Sequence, residues 1–295
     1  MQILAGGELL KLEPNMDDEF KDTLNLFGFY SALQDQDQEL GVTDKDEKGS
    51  WGKNTITPAT WRILIDWMAR VHFSYGFSDN CLHLAVAILN KYCSEANDVT
   101  TRTFQLYGIV SLLLATKYCE SEVLEVATCS SLTGSSFSAE SVLQAELRML
   151  EVLEFNVTLP TSHIFLHLFW KAVEAPESLW QLACFYSQRA LYEVPAINKH
   201  KQSIIALSCI MLAAEHLSVK EYLSNLLGKN QLWSYSEICA SEVAKNELST
   251  ALVAMPTSTR KKRKLDAINR KFGICDVWET NLSLVCNEAS SQSDG

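Results

Sequence analysis

Two stretches of this 295-residue chain are apolar on every side of a helix, and that restricts what it can fold into. In the first, Leu106 to Ala115, the residues Leu106, Ile109, Val110, Leu112, Leu113 and Leu114 leave no polar stripe. The second, Ile204 to Ala214, reads Ile-Ile-Ala-Leu-Ser-Cys-Ile-Met-Leu-Ala-Ala. A helix of this kind is tolerated in water only when other helices surround it. Each stretch can therefore be the centre of its own helical shell, and the expected fold is all-α.

The flanking segments supply the shells. Thr57 can accept the free amides of a helix start, Pro58 has the fixed φ of a first turn, and Trp61, Leu64, Ile65 and Met68 follow at helical spacing. After Tyr75-Gly76, Ser78 or Asp79 can cap a second helix with Leu82, Ala85, Val86 and Leu89 on one face. A third helix runs roughly from Thr101 to Tyr118 and a short fourth from Val123 to Ser131. A fifth opens at Ser138 and Glu140 with Leu143, Leu147 and Leu150 as its expected core face, and Pro160 closes the unit. The same plan predicts helices near 162–173, 177–192, 201–216, 219–227 and 234–251, a second five-helix unit. Identity between the halves is too low for periodicity alone to establish a duplication.

Ahead of the first unit, Phe20, Leu24, Phe27 and Phe29 to Leu33 predict a short amphipathic helix, and the acidic, polar run from Gln34 to Lys53 reads as a solvated linker. The expected organisation is an N-terminal helix and linker over 1–56, a first unit over 57–160, a second over 161–255, and a basic segment with a C-terminal tail over 256–295.

The bulk numbers exclude more than they assign. A net charge of −11 and a pI near 5.1 argue against broad attraction to nucleic acid or anionic membrane. The 9 cysteines show no metal-knuckle or redox spacing, which suggests reduced thiols inside a cell. The opening Met1-Gln2-Ile3-Leu4-Ala5 has no secretory pattern, and no apolar run reaches membrane-spanning length. Neither a phosphate-cradling glycine loop nor a Gly-x-Ser-x-Gly elbow occurs among the 12 glycines. His163 and His167 stand four apart, but Ile164 lies where a zinc protease has its glutamate, so a packed helix face is the favoured reading. No catalytic residue, metal or cofactor is expected.

Three separated signals then keep a fixed order. They are Ile56-Thr57-Pro58-Ala59-Thr60-Trp61-Arg62-Ile63-Leu64-Ile65-Asp66-Trp67, then Phe104-Gln105-Leu106-Tyr107-Gly108 running into Ala115-Thr116-Lys117-Tyr118, and last Glu146 ahead of Leu153-Glu154-Phe155-Asn156-Val157-Thr158-Leu159-Pro160-Thr161. Together they resemble the cyclin box, over roughly Phe20 to Val277, strongly in the first unit and weakly in the second. The resemblance is nearest to the cell-division cyclins of the A, B, E and O kind. It implies two cyclin folds and a regulatory subunit that binds a cyclin-dependent kinase, a non-catalytic activator present in nucleus and cytoplasm.

The resemblance also implies sites. It puts the kinase-facing pair at Lys117 and Glu146, with Tyr118, Glu120, Phe155 and Val157 around them. It matches a substrate-docking groove with Ile63, Leu64, Trp67, Phe104 and Gln105, although these residues read equally well as core. The acidic rim of that groove is Arg70 here, a charge that repels the basic residue of an Arg-x-Leu peptide. The family's first-helix arginine and its aspartate partner correspond to Trp61 and Asn90, so that ion pair is gone at both ends, and Arg62 is a candidate to compensate. Val123-Leu124 stands where many relatives have two prolines.

The run Arg260, Lys261, Lys262, Arg263 and Lys264 looks like a nuclear import signal. A solvated segment leading into a tail over Leu265 to Val277 is an equal alternative, with nucleic-acid binding third. Two rival functions remain open from sequence: a cyclin-fold scaffold that activates no kinase, and a transcription-factor-like cyclin fold, which the acidic balance disfavours.

Overall fold

A computed structural model describes residues 2–5, 8–11, 56–173, 176–193, 200–219, 235–254 and 266–272. The expected helix over 20–33, all of the expected helix 219–227 beyond residue 219, and the basic run 260–264 lie outside the described residues. At the start, β1 (Gln2–Ala5) pairs antiparallel with β2 (Glu8–Lys11), Gln2 opposite Lys11 and Ala5 opposite Glu8. This pair adds to the all-α expectation, because four residues a side are too few for alternation to stand out in the sequence.

The first unit comprises α1 (Pro58–Tyr75), α2 (Asp79–Glu95), α3 (Phe104–Cys119), α4 (Val126–Leu132) and α5 (Ala139–Val152). Helix α1 begins as its sequence dictates: the Thr57 hydroxyl accepts from the Thr60 amide at 3.2 Å, and Pro58 holds the first turn. It ends at Gly76, whose φ of 69° favours a residue without a Cβ, and whose amide donates to the His72 and Phe73 carbonyls.

Helix α3 is the centre, packed by α1, α2, α4 and α5, with every residue from Leu106 to Thr116 buried. Its hydroxyls are satisfied internally, Ser111 donating to the Gly108 carbonyl at 2.9 Å and Thr116 to Leu113 at 2.8 Å. Gly108 lets α1 approach closely, since a Cβ there would stand 2.9 Å from Leu64 Cδ1.

The described part of the second unit repeats the plan with α6 (Ser162–Val173), α7 (Glu177–Ala190), a 3₁₀ turn (Leu191–Glu193), α8 (Gln202–His216) and α9 (Tyr235–Ala254). Here α8 is central, buried from Ser203 to Ala214 and packed by α6, α7 and α9. The Ser208 hydroxyl lies 2.7 Å from the Ile204 carbonyl and 2.9 Å from that of Ser241 on α9.

The units meet along α1. Trp61, fully buried, donates its indole N–H to the Leu191 carbonyl at 2.9 Å. Arg62 grips Glu193 in a two-pronged ion pair, both bonds 2.7 Å long, so the compensating role expected of Arg62 runs to the other unit. Asp66, buried on α1, accepts from the Tyr192 hydroxyl at 2.9 Å, from Arg70 at 2.6 Å and from the Ala267 amide at 3.0 Å. That last bond belongs to α10 (Ala267–Lys271), a piece of the C-terminal tail. The tail therefore packs on α1 as well as on α7, rather than on the second unit alone.

Glu193 is nearly sealed, its side chain 4% exposed, so loss of Arg62 strands a buried carboxylate. Arg62→Ala is expected to cost about 3 kcal/mol in urea unfolding, and adding Glu193→Gln is expected to recover part of that loss. A cost below about 1 kcal/mol would show that water screens the pair.

Candidate partner-binding site

The last turn of α3 leaves the core at Lys117, the first exposed residue after its buried run. A cation suits that position, where unsatisfied carbonyls carry partial negative charge. Helix α5 brings Glu146 to meet it. The Ser138 hydroxyl caps α5 by accepting from the Ser141 amide at 3.1 Å, and Val142, Ala145 and Met149 form its buried face. Glu146 lies at the edge of that face, with its carboxylate 2.5 Å from Lys117 Nζ. The lysine side chain is 45% exposed and the glutamate only 10%, so the pair presents positive charge outward from an anchored base.

The core face of α5 differs from the sequence expectation. Leu143 and Leu147 are 51% and 54% exposed, while Leu150 is half-buried. Two apolar stripes share this helix, one residue apart, and both have helical spacing; only the neighbouring helices decide which one is buried. The exposed stripe flanks Glu146, so Leu143 and Leu147 join the candidate site although sequence reasoning assigned them to the core. Their signal was the surplus of apolar positions on a two-sided helix.

Beyond α5 the chain turns on two residues in left-handed backbone, Glu154 at φ 51° and Phe155 at φ 58°. The Phe155 amide donates to the Leu150 carbonyl at 2.8 Å, which closes the helix, and the phenyl ring is left 65% exposed. A phenylalanine in this conformation is uncommon and costs about 1–2 kcal/mol. Tyr118 and Val123, close to Lys117 in sequence, are also exposed, whereas Val157 is half-buried and packs on the core. Of the residues expected here, Lys117, Glu146, Tyr118 and Phe155 thus have polar or aromatic groups open to a partner or directly behind one that is.

Glu120 has a different occupation. One of its carboxylate oxygens accepts from the Ser78 amide at 2.9 Å and from the Ser78 hydroxyl at 2.6 Å, tying the start of α2 to the end of α3. Ser78 accordingly sits at the cap position of α2 without capping it through its side chain.

The groove residues divide. Leu64 and Phe104 belong to the core, and the Phe104 ring lies 6.0 Å from that of Trp61. Ile63, Trp67 and Gln105 are half-buried and accessible. Arg70 is held by Asp66 and, at 3.1 Å, by Asp266 of the tail, so its charge is balanced from within the molecule.

His163 and His167 pack against the Trp180 ring of α7, at 6.0 and 5.7 Å between centroids. Among the described residues no group of three or more His, Cys, Asp and Glu side chains is placed to hold a metal ion, and no helix is long and apolar enough to cross a membrane.

Comparison with known proteins agrees with this geometry. Residues 34–158 match the family model for the cyclin N-terminal domain. Cyclin-B2-1 of Arabidopsis thaliana is 34% identical over 151 residues, which is 51% of this chain and 35% of that protein. The chain spans less than half the length of the curated relatives it matches. A viral cyclin from herpesvirus saimiri superposes with a TM-score of 0.61 at 20% identity, over 75% of this chain and 97% of its own. A chain of the yeast RNA Pol II CTD kinase CTDK-1 complex does so at 0.53 and 16% identity, over 91% of this chain and 77% of its own. Residues 34–158 are thus a cyclin N-terminal domain, and the tandem helical shells around α3 and α8 share the fold of solved cyclins.

Proposed function

We propose that this protein is the regulatory subunit of a cyclin-dependent Ser/Thr kinase, which it binds as a heterodimer and activates to control cell-cycle progression. The observation that carries the reading is the Lys117–Glu146 pair, a half-exposed ammonium on a nearly buried carboxylate. Exposed apolar residues on the same elements, Tyr118, Leu143, Leu147 and Phe155, give that charge an apolar surround. An amphipathic helix is the natural ligand for such a surface: its apolar face covers the rings and leucines while its terminal carbonyls accept from Lys117.

In this reading the protein performs no chemistry itself. It binds the kinase with its mobile helix turned inward, where that helix's glutamate reaches the lysine that holds ATP phosphates. Tighter binding to this arrangement than to the inactive one shifts the population. Moving it from 1:99 to 99:1 takes a preference of about 10⁴-fold.

Substrate recruitment through Ile63, Trp67 and Gln105 is a secondary proposal, in which Arg70, balanced by Asp66 and Asp266, no longer selects a basic residue. The basic run Arg260 to Lys264 supports nuclear import beside a cytoplasmic pool. The net charge of −11 gives no support to nucleic-acid or membrane binding.

The backbone at Phe155 supports a surface held for binding, because its strain brings the isolated chain no burial. Phe155→Asn, which tolerates positive φ, is expected to leave urea stability unchanged or raise it by up to about 1 kcal/mol, yet weaken kinase capture. A loss of stability would mean that the ring packs on the chain itself.

The central test is affinity purification of the intact chain beside the double variant Lys117→Ala, Glu146→Ala, with kinase activity assayed in each eluate. Co-purified activity is expected to fall at least tenfold in the variant. A folded protein that brings down no kinase, or equal activity from both, would favour the non-activating scaffold.

A further inference from the structure

Where α2 meets α6, the rings of His83 and His163 stack with centroids 5.3 Å apart and 26° between their planes. His83 is buried: its Nδ1 lies 3.3 Å from the Ser162 hydroxyl, which is itself 3.2 Å from that of Ser187, and its Nε2 has no partner among the described residues. The His163 ring is partly exposed, but its Nδ1 is sealed and likewise lacks a partner among the described residues. A third imidazole, His72 on α1, is buried, with Nε2 donating to the Ser78 carbonyl at 2.7 Å and Nδ1 without a partner among the described residues.

The charged and titratable groups around this stack come from every neighbouring element. Helix α1 contributes His72, α2 contributes Asp79, α6 contributes His167, the end of α3 contributes Glu120, and α7 contributes Cys184 and Glu177. The tail contributes Lys271, which bonds Asp79, lies 4.9 Å over the Phe73 ring and repels protons from all three histidines. Phe272 follows it and meets Phe185 of α7 edge-on at 5.5 Å. Asp79, the carboxylate placed to compensate a charged His163, is thus already engaged by the tail.

We propose that this histidine stack makes the joint between the two units proton-sensitive: charging His83 or His163 opens the α2–α6 contact and releases the tail helix α10, while the shells around α3 and α8 stay closed. Two adjacent imidazolium rings repel, and the sealed His83 Nε2 and His163 Nδ1 meet no acceptor among the described residues. A charged His163 also competes with Lys271 for Asp79, and losing that bond loosens α10. The inference goes beyond kinase binding and does not depend on it.

Burial holds His83 well below its ordinary value of 6.5 and brings His163 down to about 4. A histidine depressed in the closed form favours that form above about pH 6.5, and its contribution is lost as pH falls from there toward the depressed value. Each ring that regains its ordinary value on opening raises the open-to-closed ratio roughly tenfold between pH 7.5 and 5.5.

The test is amide hydrogen exchange on the full chain at pH 7.5 and 5.5, corrected for intrinsic rates, with α3 as the internal reference. Opening of residues 266–272 is expected to rise about tenfold or more at pH 5.5 while α3 and α8 are unmoved. In the double variant His83→Gln, His163→Phe the ratio between the two pH values is expected to fall below about twofold. If that variant is weakened at both pH values, the ratio within it still decides. Equal protection of the parent at both pH values, or a tenfold rise that persists in the variant, would overturn the proposal.

Discussion

Helix α3 has no face left for water, and this one constraint organises the first unit. Its apolar residues require α1, α2, α4 and α5 as a wall, and the close approach of α1 requires Gly108. Because buried hydroxyls must be paired, Ser111 and Thr116 turn back onto the helix's own carbonyls. The candidate site lies where this enforced burial ends. Lys117 stands at the exit of α3 into solvent, and Glu146 stands at the boundary between the buried and exposed faces of α5. Site and core are two consequences of the same packing.

The joint between the units follows a second rule, that a buried charge is retained only with its partner. Where the resemblance implies an arginine and its aspartate partner, this chain has Trp61 and Asn90, and the joint is built from other groups. Trp61 keeps a donor through its indole and fills the space with an apolar ring, while Arg62 meets Glu193 across the joint. Asp66 collects three further bonds, from Tyr192, Arg70 and the tail, which draws the 3₁₀ turn and α10 onto one helix. Arg70 is consequently part of an internal charge network, and its effect on a groove ligand depends on the tail as much as on its own charge.

The sequence by itself determined the helical class, the two central helices, the capped start at Thr57 and Pro58, and the pairing of Lys117 with Glu146 in a known order of motifs. These are local or strongly patterned: capping depends on two or three neighbours, and a helix apolar all round has a single environment open to it. Tertiary structure alone decided which of two equally spaced stripes on α5 is buried, and so left Leu143 and Leu147 outside. It decided that Leu64 and Phe104 are core while Ile63 and Trp67 remain reachable, that Glu120 serves Ser78, and that the tail bridges both units. These outcomes rest on contacts between different helices and the tail, some far apart in sequence, such as Ser78 with Glu120 and Asp66 with Ala267. Periodicity reports which side of a helix is apolar; what covers that side is set by elements that no local pattern can see.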